Sequence, residues 1–107
     1  MKVMLKISTE FRKGVLFVRL VGRIDNEGYL EGINQVIDSM GIRYIVFNLS
    51  NLKGISLDSV QHIIEYNKEI LEKRKLLFIC DTNSIRNRLF KNRIPNIQSE
   101  IEAFSLI

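Results

Sequence analysis

The sequence predicts an α/β fold. It is a mixed β-sheet that opens with an N-terminal hairpin, continues as alternating strands and helices, and is covered by about four helices. Three observations carry this. Two apolar segments flank Arg12-Lys13-Gly14, which reads as a turn between antiparallel strands. Short, continuous apolar runs at 44–47 and 76–80 read as strands buried on both faces. Between these runs, apolar residues recur at helical spacing. Strands that alternate with helices imply parallel neighbours joined by right-handed crossovers.

Each element has its own warrant. Val3, Leu5 and Ile7 alternate with Lys2, Met4 and Lys6, which predicts a strand with one apolar face. Residues 15–21 are almost wholly apolar and predict a central strand. Gly22-Arg23-Ile24-Asp25-Asn26 then leaves the sheet, and Asp25 or Asn26 caps the next helix. Leu30, Ile33, Ile37 and Met40 form that helix's buried stripe, and Gly41 stops it. Residues 42–49 are the third strand. Asn48, Ser50 and Asn51 end it, and Lys53-Gly54 turns the chain. A second helix runs from Leu57 to about Lys73, with Leu57, Val60, Ile63, Ile64, Ile70 and Leu71 on one face. Ser56 and Asp58 both offer an oxygen at its start, and Asp58-x-x-Gln61 has capping-box spacing.

Residues 76–80 are a fourth strand. Asp81, Thr82, Asn83 and Ser84 make a polar loop that ends in a cap. Ile85, Leu89 and Phe90 give a short helix that Pro95 cannot continue. Ile94 and Ile97 form a last edge strand. Ser99-x-x-Glu102 is a capping box for a closing helix over 100–107, packed through Ile101, Phe104 and Ile107.

The 107 residues suit one domain, 1–107, with a single core. Apolar content of 46% and charged content of 26% are those of an ordinary folded chain. No apolar run approaches the ~20 residues of a membrane span, so membrane insertion is not expected. The segment MKVMLKISTEF alternates instead of forming an apolar block, and Cys80 is the sole cysteine. Both lead to the expectation of a cytoplasmic protein without disulfides.

Net charge is +4, and the excess is local. Lys73, Arg74, Lys75, Arg86, Arg88, Lys91 and Arg93 face one acid, Asp81, within residues 73–93. A solvated face, or a docking face for an acidic protein, is the favoured reading. A nucleic-acid-binding domain is an alternative, disfavoured because no aromatic residues interleave as a stacking platform. Phe78 and Phe90 read as core.

Catalysis finds little support. His62 stands alone, off the apolar stripe of its helix. No Cys/His set has metal spacing, and no Gly-rich nucleotide motif occurs, so no cofactor and no metal are expected. Cys80 ends an apolar strand and reads as a buried small hydrophobe. Asp25 and Asp58 sit at loop-to-helix junctions and read as two caps in preference to an acid pair.

The element order, Gly22-Arg23-Ile24-Asp25 ahead of the first helix, and Ile42-Arg43-Tyr44-Ile45-Val46-Phe47-Asn48-Leu49 ahead of the central loop resemble a STAS domain. The likeness is to the small bacterial anti-sigma factor antagonists. Asn83-Ser84-Ile85-Arg86-Asn87-Arg88-Leu89-Phe90 and residues 99–107 are similar to the family's closing segments. The resemblance implies a regulatory domain that binds a kinase-like anti-sigma factor and so frees a sigma factor. In that family the loop after the third strand carries Asp-Ser-Ser-Gly or Asp-Ser-Ala-Gly, with a phosphorylated serine. An ungapped match puts Ser56 at the family's aspartate, Leu57 at its first serine, Asp58 at the phosphoacceptor and Ser59 at the glycine. A one-residue shift would instead pair Asp58-Ser59 with Asp-Ser and leave Val60 at the acceptor.

On the ungapped match a carboxylate replaces the acceptor hydroxyl. Phosphoserine brings about −1.5 to −2 charges and three acceptor oxygens, so one aspartate imitates it only in part. Three readings stay open. Asp58 is a plain cap on a docking module whose switch is lost; it holds a state partly like the phosphorylated one; or Ser59 or Ser56 is itself modified. The expected contact surface is Lys53, Ser56, Asp58, Ser59, Gln61 and His62, with Asp25 and Asn26 beside them. Glu65 lies on the same helix face. The expected partner is a protein, either a kinase-like anti-sigma factor or an ATPase subunit. The latter belongs to the alternative of a non-phosphorylated scaffold in a signalling complex or a lipid-transport ABC ATPase. A weak homodimer completes the expected set.

Overall fold

The structure, a computed structural model, describes residues 4–107. Lys2 and Val3 of the first predicted strand lie outside the described residues. β1 (Lys6–Arg12) and β2 (Val15–Ile24) form an antiparallel hairpin with Arg12 opposite Val15. Its turn, Lys13-Gly14, has positive φ at both residues (51° and 84°). That twist matches the twist of paired strands. Then follow α1 (Tyr29–Met40), β3 (Tyr44–Asn48), β4 (Leu52–Ile55), α2 (Leu57–Glu72), β5 (Leu76–Cys80), α3 (Ser84–Arg88) and β6 (Asn96–Ile97). A single 3₁₀ turn (Glu100–Glu102) and α4 (Ala103–Leu106) close the chain. The sheet runs β1-β2-β3-β5-β6, and every pairing after the hairpin is parallel.

The continuous apolar runs are explained by burial on both sides of the sheet. Leu16, Val18, Leu20, Ile45, Phe47, Leu77 and Ile79 pack beneath α1 and α2. Val15, Phe17, Val46, Phe78 and Cys80 alternate with them and pack beneath Ala103 and Phe104. Phe104 meets Phe17 edge-on, with ring centroids 5.7 Å apart. Burial pushes the Cys80 thiol up to about 11, as an inert core residue should be.

The C-terminal segment is fastened by charge. Arg19 donates to both carboxylate oxygens of Glu100, at 2.9 and 2.8 Å, and to Glu10 at 2.7 Å. Asn48 donates to the same Glu100 at 2.8 Å. The Arg19 guanidinium holds the Glu100 carboxyl below the usual carboxylate range.

Several expectations are corrected. Residues 52–55 are a strand, not only a turn, and β4 pairs parallel with the far end of β2. For that, β2 must continue to Ile24 instead of leaving the sheet at Gly22. The register shifts at Gly22, where φ is 102° and a Cβ would collide with the Met4 carbonyl. Met40, Leu57 and Leu71 carry the right periodicity but are exposed (54%, 75% and 50%). They sit in the end turns of their helices, and periodicity assigns a face without saying where the supporting layer stops. The closing helix divides into the 3₁₀ turn and α4, with Ile101 and Ile107 exposed. Ser99 makes no side-chain cap; instead Glu102 accepts from the Gln98 N–H at 3.4 Å.

Candidate functional site

The site begins where β2 and β4 end side by side. Ile24 is paired with Ile55, and the Ser56 N–H donates to the Ile24 carbonyl at 3.2 Å. Ser56 is extended (φ −74°, ψ 155°) and caps α2: its Oγ accepts from the Ser59 N–H at 3.1 Å. The two serine hydroxyls also bond each other at 2.8 Å. The cap is therefore the Ser56–Ser59 pair, and Asp58 is not the capping residue. Asp58 lies exposed in the first turn of α2, where the helix's positive end favours a carboxylate.

Ser59 is 1% exposed. It lies beneath the expected contact surface, not on it. Lys53, Asp58 and Gln61 are on the outside, and Ser56 and His62 are half-buried. Asp25 and Asn26 are exposed where β2 gives way to α1, at the same end of the sheet. Neither caps α1. Its cap is Gly28, without a side-chain bond; Asn26 Oδ1 accepts from the Gly28 N–H, and Asp25 accepts from Arg23 Nε at 2.8 Å. The Arg23 guanidinium lies over Gly54, its Nη1 2.7 Å from where a Cβ would stand. A side chain at 54 would displace Arg23 from the Asp25 end of the site.

Two features are invisible in a reading of single elements. The first is a cleft of about 350 Å³ between α1 and α2, lined by Glu27, Glu31, Glu65, Glu69 and His62 among others. His62 stands 3.7 Å from Glu27 through Nε2, and its buried Nδ1 has no partner among the described residues. The available signal lay on α2, where Glu65 and Glu69 are like charges four apart, which a lone helix disfavours. The second is Arg86. It is buried, donating to Asp81 at 2.6 and 3.0 Å and to the carbonyls of Leu49 and Leu52 at 2.7 and 3.1 Å. It thereby holds the turn that launches β4, and it is not among the exposed cations of residues 73–93; there Lys73 is also engaged, with Asp38 at 3.5 Å, and Lys75 donates to the Ile42 carbonyl. Among the described residues no group of three or more His, Cys, Asp or Glu can hold a metal ion, and no helix is long and apolar enough to cross a membrane.

No protein-family model matches the chain. Among solved structures, the anti-sigma factor antagonist SpoIIAA in its unphosphorylated form is similar over 96% of each chain, with a TM-score of 0.73 and 14% identity. An anti-sigma factor antagonist from Mycobacterium paratuberculosis matches over 97% of this chain and 94% of its own, with a TM-score of 0.73 and 16% identity. An uncharacterised protein with a SpoIIAA-like fold, from Shewanella loihica PV-4, matches over 95% and 92%, with a TM-score of 0.60 and 12% identity. At these identities the likeness is one of fold. The STAS-like mixed sheet expected from the sequence is the fold observed.

Proposed function

We propose that this chain is a protein-binding regulatory domain of the anti-sigma factor antagonist kind, and that it docks through the β4–α2 junction. The observation that carries the reading is the state of the three polar side chains there. Ser56 and Ser59 are turned onto each other as a cap, and Asp58 is the side chain presented outward. The surface comprises Lys53, Ser56, Asp58, Gln61 and His62, rimmed by Asp25 and Asn26. It acts by binding and not by catalysis. A kinase-like anti-sigma factor is the partner this fold suggests.

Asp58 supplies a permanent charge where the resembled family places a reversible one. The switch is then fixed by sequence. Phosphate on Ser59 requires the first turn of α2 to open, since its hydroxyl is buried. Phosphate on Ser56 requires the cap to break. Either change costs about 1 kcal/mol or more of helix stability.

Capture of partners by the tagged chain from its own cell extract tests this. Bound proteins are identified by mass spectrometry, and Ser56 and Ser59 are checked for phosphate in the same run. A kinase-like partner with both serines unmodified supports the reading. Phosphate on Ser59 or Ser56 would show the switch relocated. An ABC ATPase or a large scaffold would transfer the docking surface to the scaffold class. A nucleic-acid complex that weakens steeply with salt would replace it altogether.

A further inference from the structure

Among the described residues β1 pairs only with β2, so its outer edge is open. In a two-residue hairpin the residues flanking the turn exchange both backbone hydrogen bonds, and the pattern alternates from there. Arg12, Glu10, Ser8 and Lys6 therefore direct their backbone groups to β2. Those of Phe11, Thr9 and Ile7 point outward. An open edge of this length is a template for another strand, and here its side chains are apolar on one face. Ile7 and Phe11 are 41% and 49% exposed. Ile7 and Thr9 continue into a groove of about 180 Å³ shared with Tyr29, Gly32, Ile33 and Val36 of α1. The Tyr29 hydroxyl is buried there without a hydrogen-bond partner among the described residues.

We infer that β1 pairs antiparallel with β1 of a second copy of this chain, about a two-fold axis through Ser8. Charge selects both the occupant and the register. Centred on Ser8, Lys6 of each copy lies opposite Glu10 of the other, Ile7 opposite Thr9, and Leu5 opposite Phe11. All apolar side chains then share the α1 face, and the outward backbone groups of Ile7 and Thr9 meet each other in pairs. Centred on Thr9, the next register with the same facing, Lys6 would oppose Arg12, and like charges directly across are destabilising. Glu10 already accepts from Arg19 through one carboxylate oxygen, which leaves the other for the incoming lysine. The shared edge is small, so the dimer is weak and depends on concentration.

Sedimentation equilibrium on the full chain, from micromolar to millimolar concentration, tests this. The wild type is expected to dimerise. Thr9→Pro should abolish the dimer while leaving the monomer folded, because the N–H it removes faces away from β2. Lys6→Glu should raise the dissociation constant about tenfold, by turning two attractive cross-strand contacts into repulsive ones. Mild oxidation gives the register. Residues facing each other outside the hydrogen-bonded pairs have Cα atoms about 4.5 Å apart, within disulfide range. Ser8→Cys should therefore cross-link into a covalent dimer and Thr9→Cys should not. A chain that stays monomeric throughout overturns the inference. So does a dimer that survives Thr9→Pro, or one that cross-links through residue 9 instead of residue 8.

Discussion

Two strands hand over to helices at the same end of this sheet, and they do it differently. At the β2–α1 junction the polar side chains are loosely held. Asn26 bonds the Gly28 amide, Asp25 bonds Arg23, and α1 starts without a side-chain cap. At the β4–α2 junction the cap is closed by two serines, and the strand leading to it is held from below by Arg86. Both junctions read alike in the sequence, as short polar segments before an apolar stripe. On the proposed docking reading, this difference divides the surface into two parts. The closed junction would present Asp58 from a capped helix start, and the other would supply Asp25 and Asn26 as a rim held by fewer bonds.

The largest test removes the support beneath the closed junction. Arg86→Ala leaves Asp81 as a buried charge without its ion-pair partner and takes one donor from each of the Leu49 and Leu52 carbonyls. It should cost about 3–5 kcal/mol in a urea denaturation. Amide exchange should rise more at the start of α2 than at the start of α1. Equal rises would mean that Arg86 does not hold that junction in particular.

A smaller effect sharpens the contrast between the two caps. Ser56→Ala should cost about 1 kcal/mol, a typical value for a lost N-cap. Asn26→Ala removes an exposed bond outside the helix and should cost a third of that or less. Equal costs by denaturation would erase the distinction between the junctions.

The smallest effect lies away from both junctions. The carboxyl of Glu100 is held below its ordinary value by Arg19, so its contribution is complete above the unfolded carboxylate pKa of about 4.3. That contribution is lost as pH falls through the lower folded value. The pair is partly solvated, which limits it to about 1 kcal/mol or less. Acid titration followed by amide exchange should show the α4 segment loosening first, with both junctions intact. Glu100→Gln should remove that step; a step that persists in the variant would assign the acid sensitivity to another group.

Much of the fold was legible because its signals are local. Strands buried on both faces read as unbroken apolar runs, and β2, β3 and β5 each show one. Gly41 ends α1 in the left-handed conformation, as a C-terminal glycine should. The part that escaped depends on partners distant in the chain. Leu-Lys-Gly-Ile at 52–55 is too short and too Gly-interrupted to announce a strand; β4 exists because β2 runs past Gly22 to meet it. Arg86 looked like one more surface cation, since nothing local to it reveals two carbonyls 34 and 37 residues away. The site was legible in outline. The sequence puts Ser56 and Asp58 at a helix start, but which of them caps, and that Ser59 is covered, are settled by packing. The glutamate-lined cleft needed the docking of α1 on α2 before four acids spaced in two pairs became one wall.

The central claim is that an outward Asp58, on a capped and rigid helix start, is the anchor of a protein-docking surface. It is tested most directly by comparing three baits in one extract: wild type, Asp58→Lys, and Lys91→Glu, an exposed cation away from the junction. Asp58 is exposed and does not cap, but its carboxylate suits the positive end of α2, so Asp58→Lys should cost the fold about 1 kcal/mol and leave it folded, which a melting curve checks. The account predicts that the protein retained by wild type and by Lys91→Glu is lost from Asp58→Lys by at least about tenfold, the scale of an anchor contact. Retention by Asp58→Lys with loss from Lys91→Glu would contradict it and move the docking surface to the basic side of the molecule.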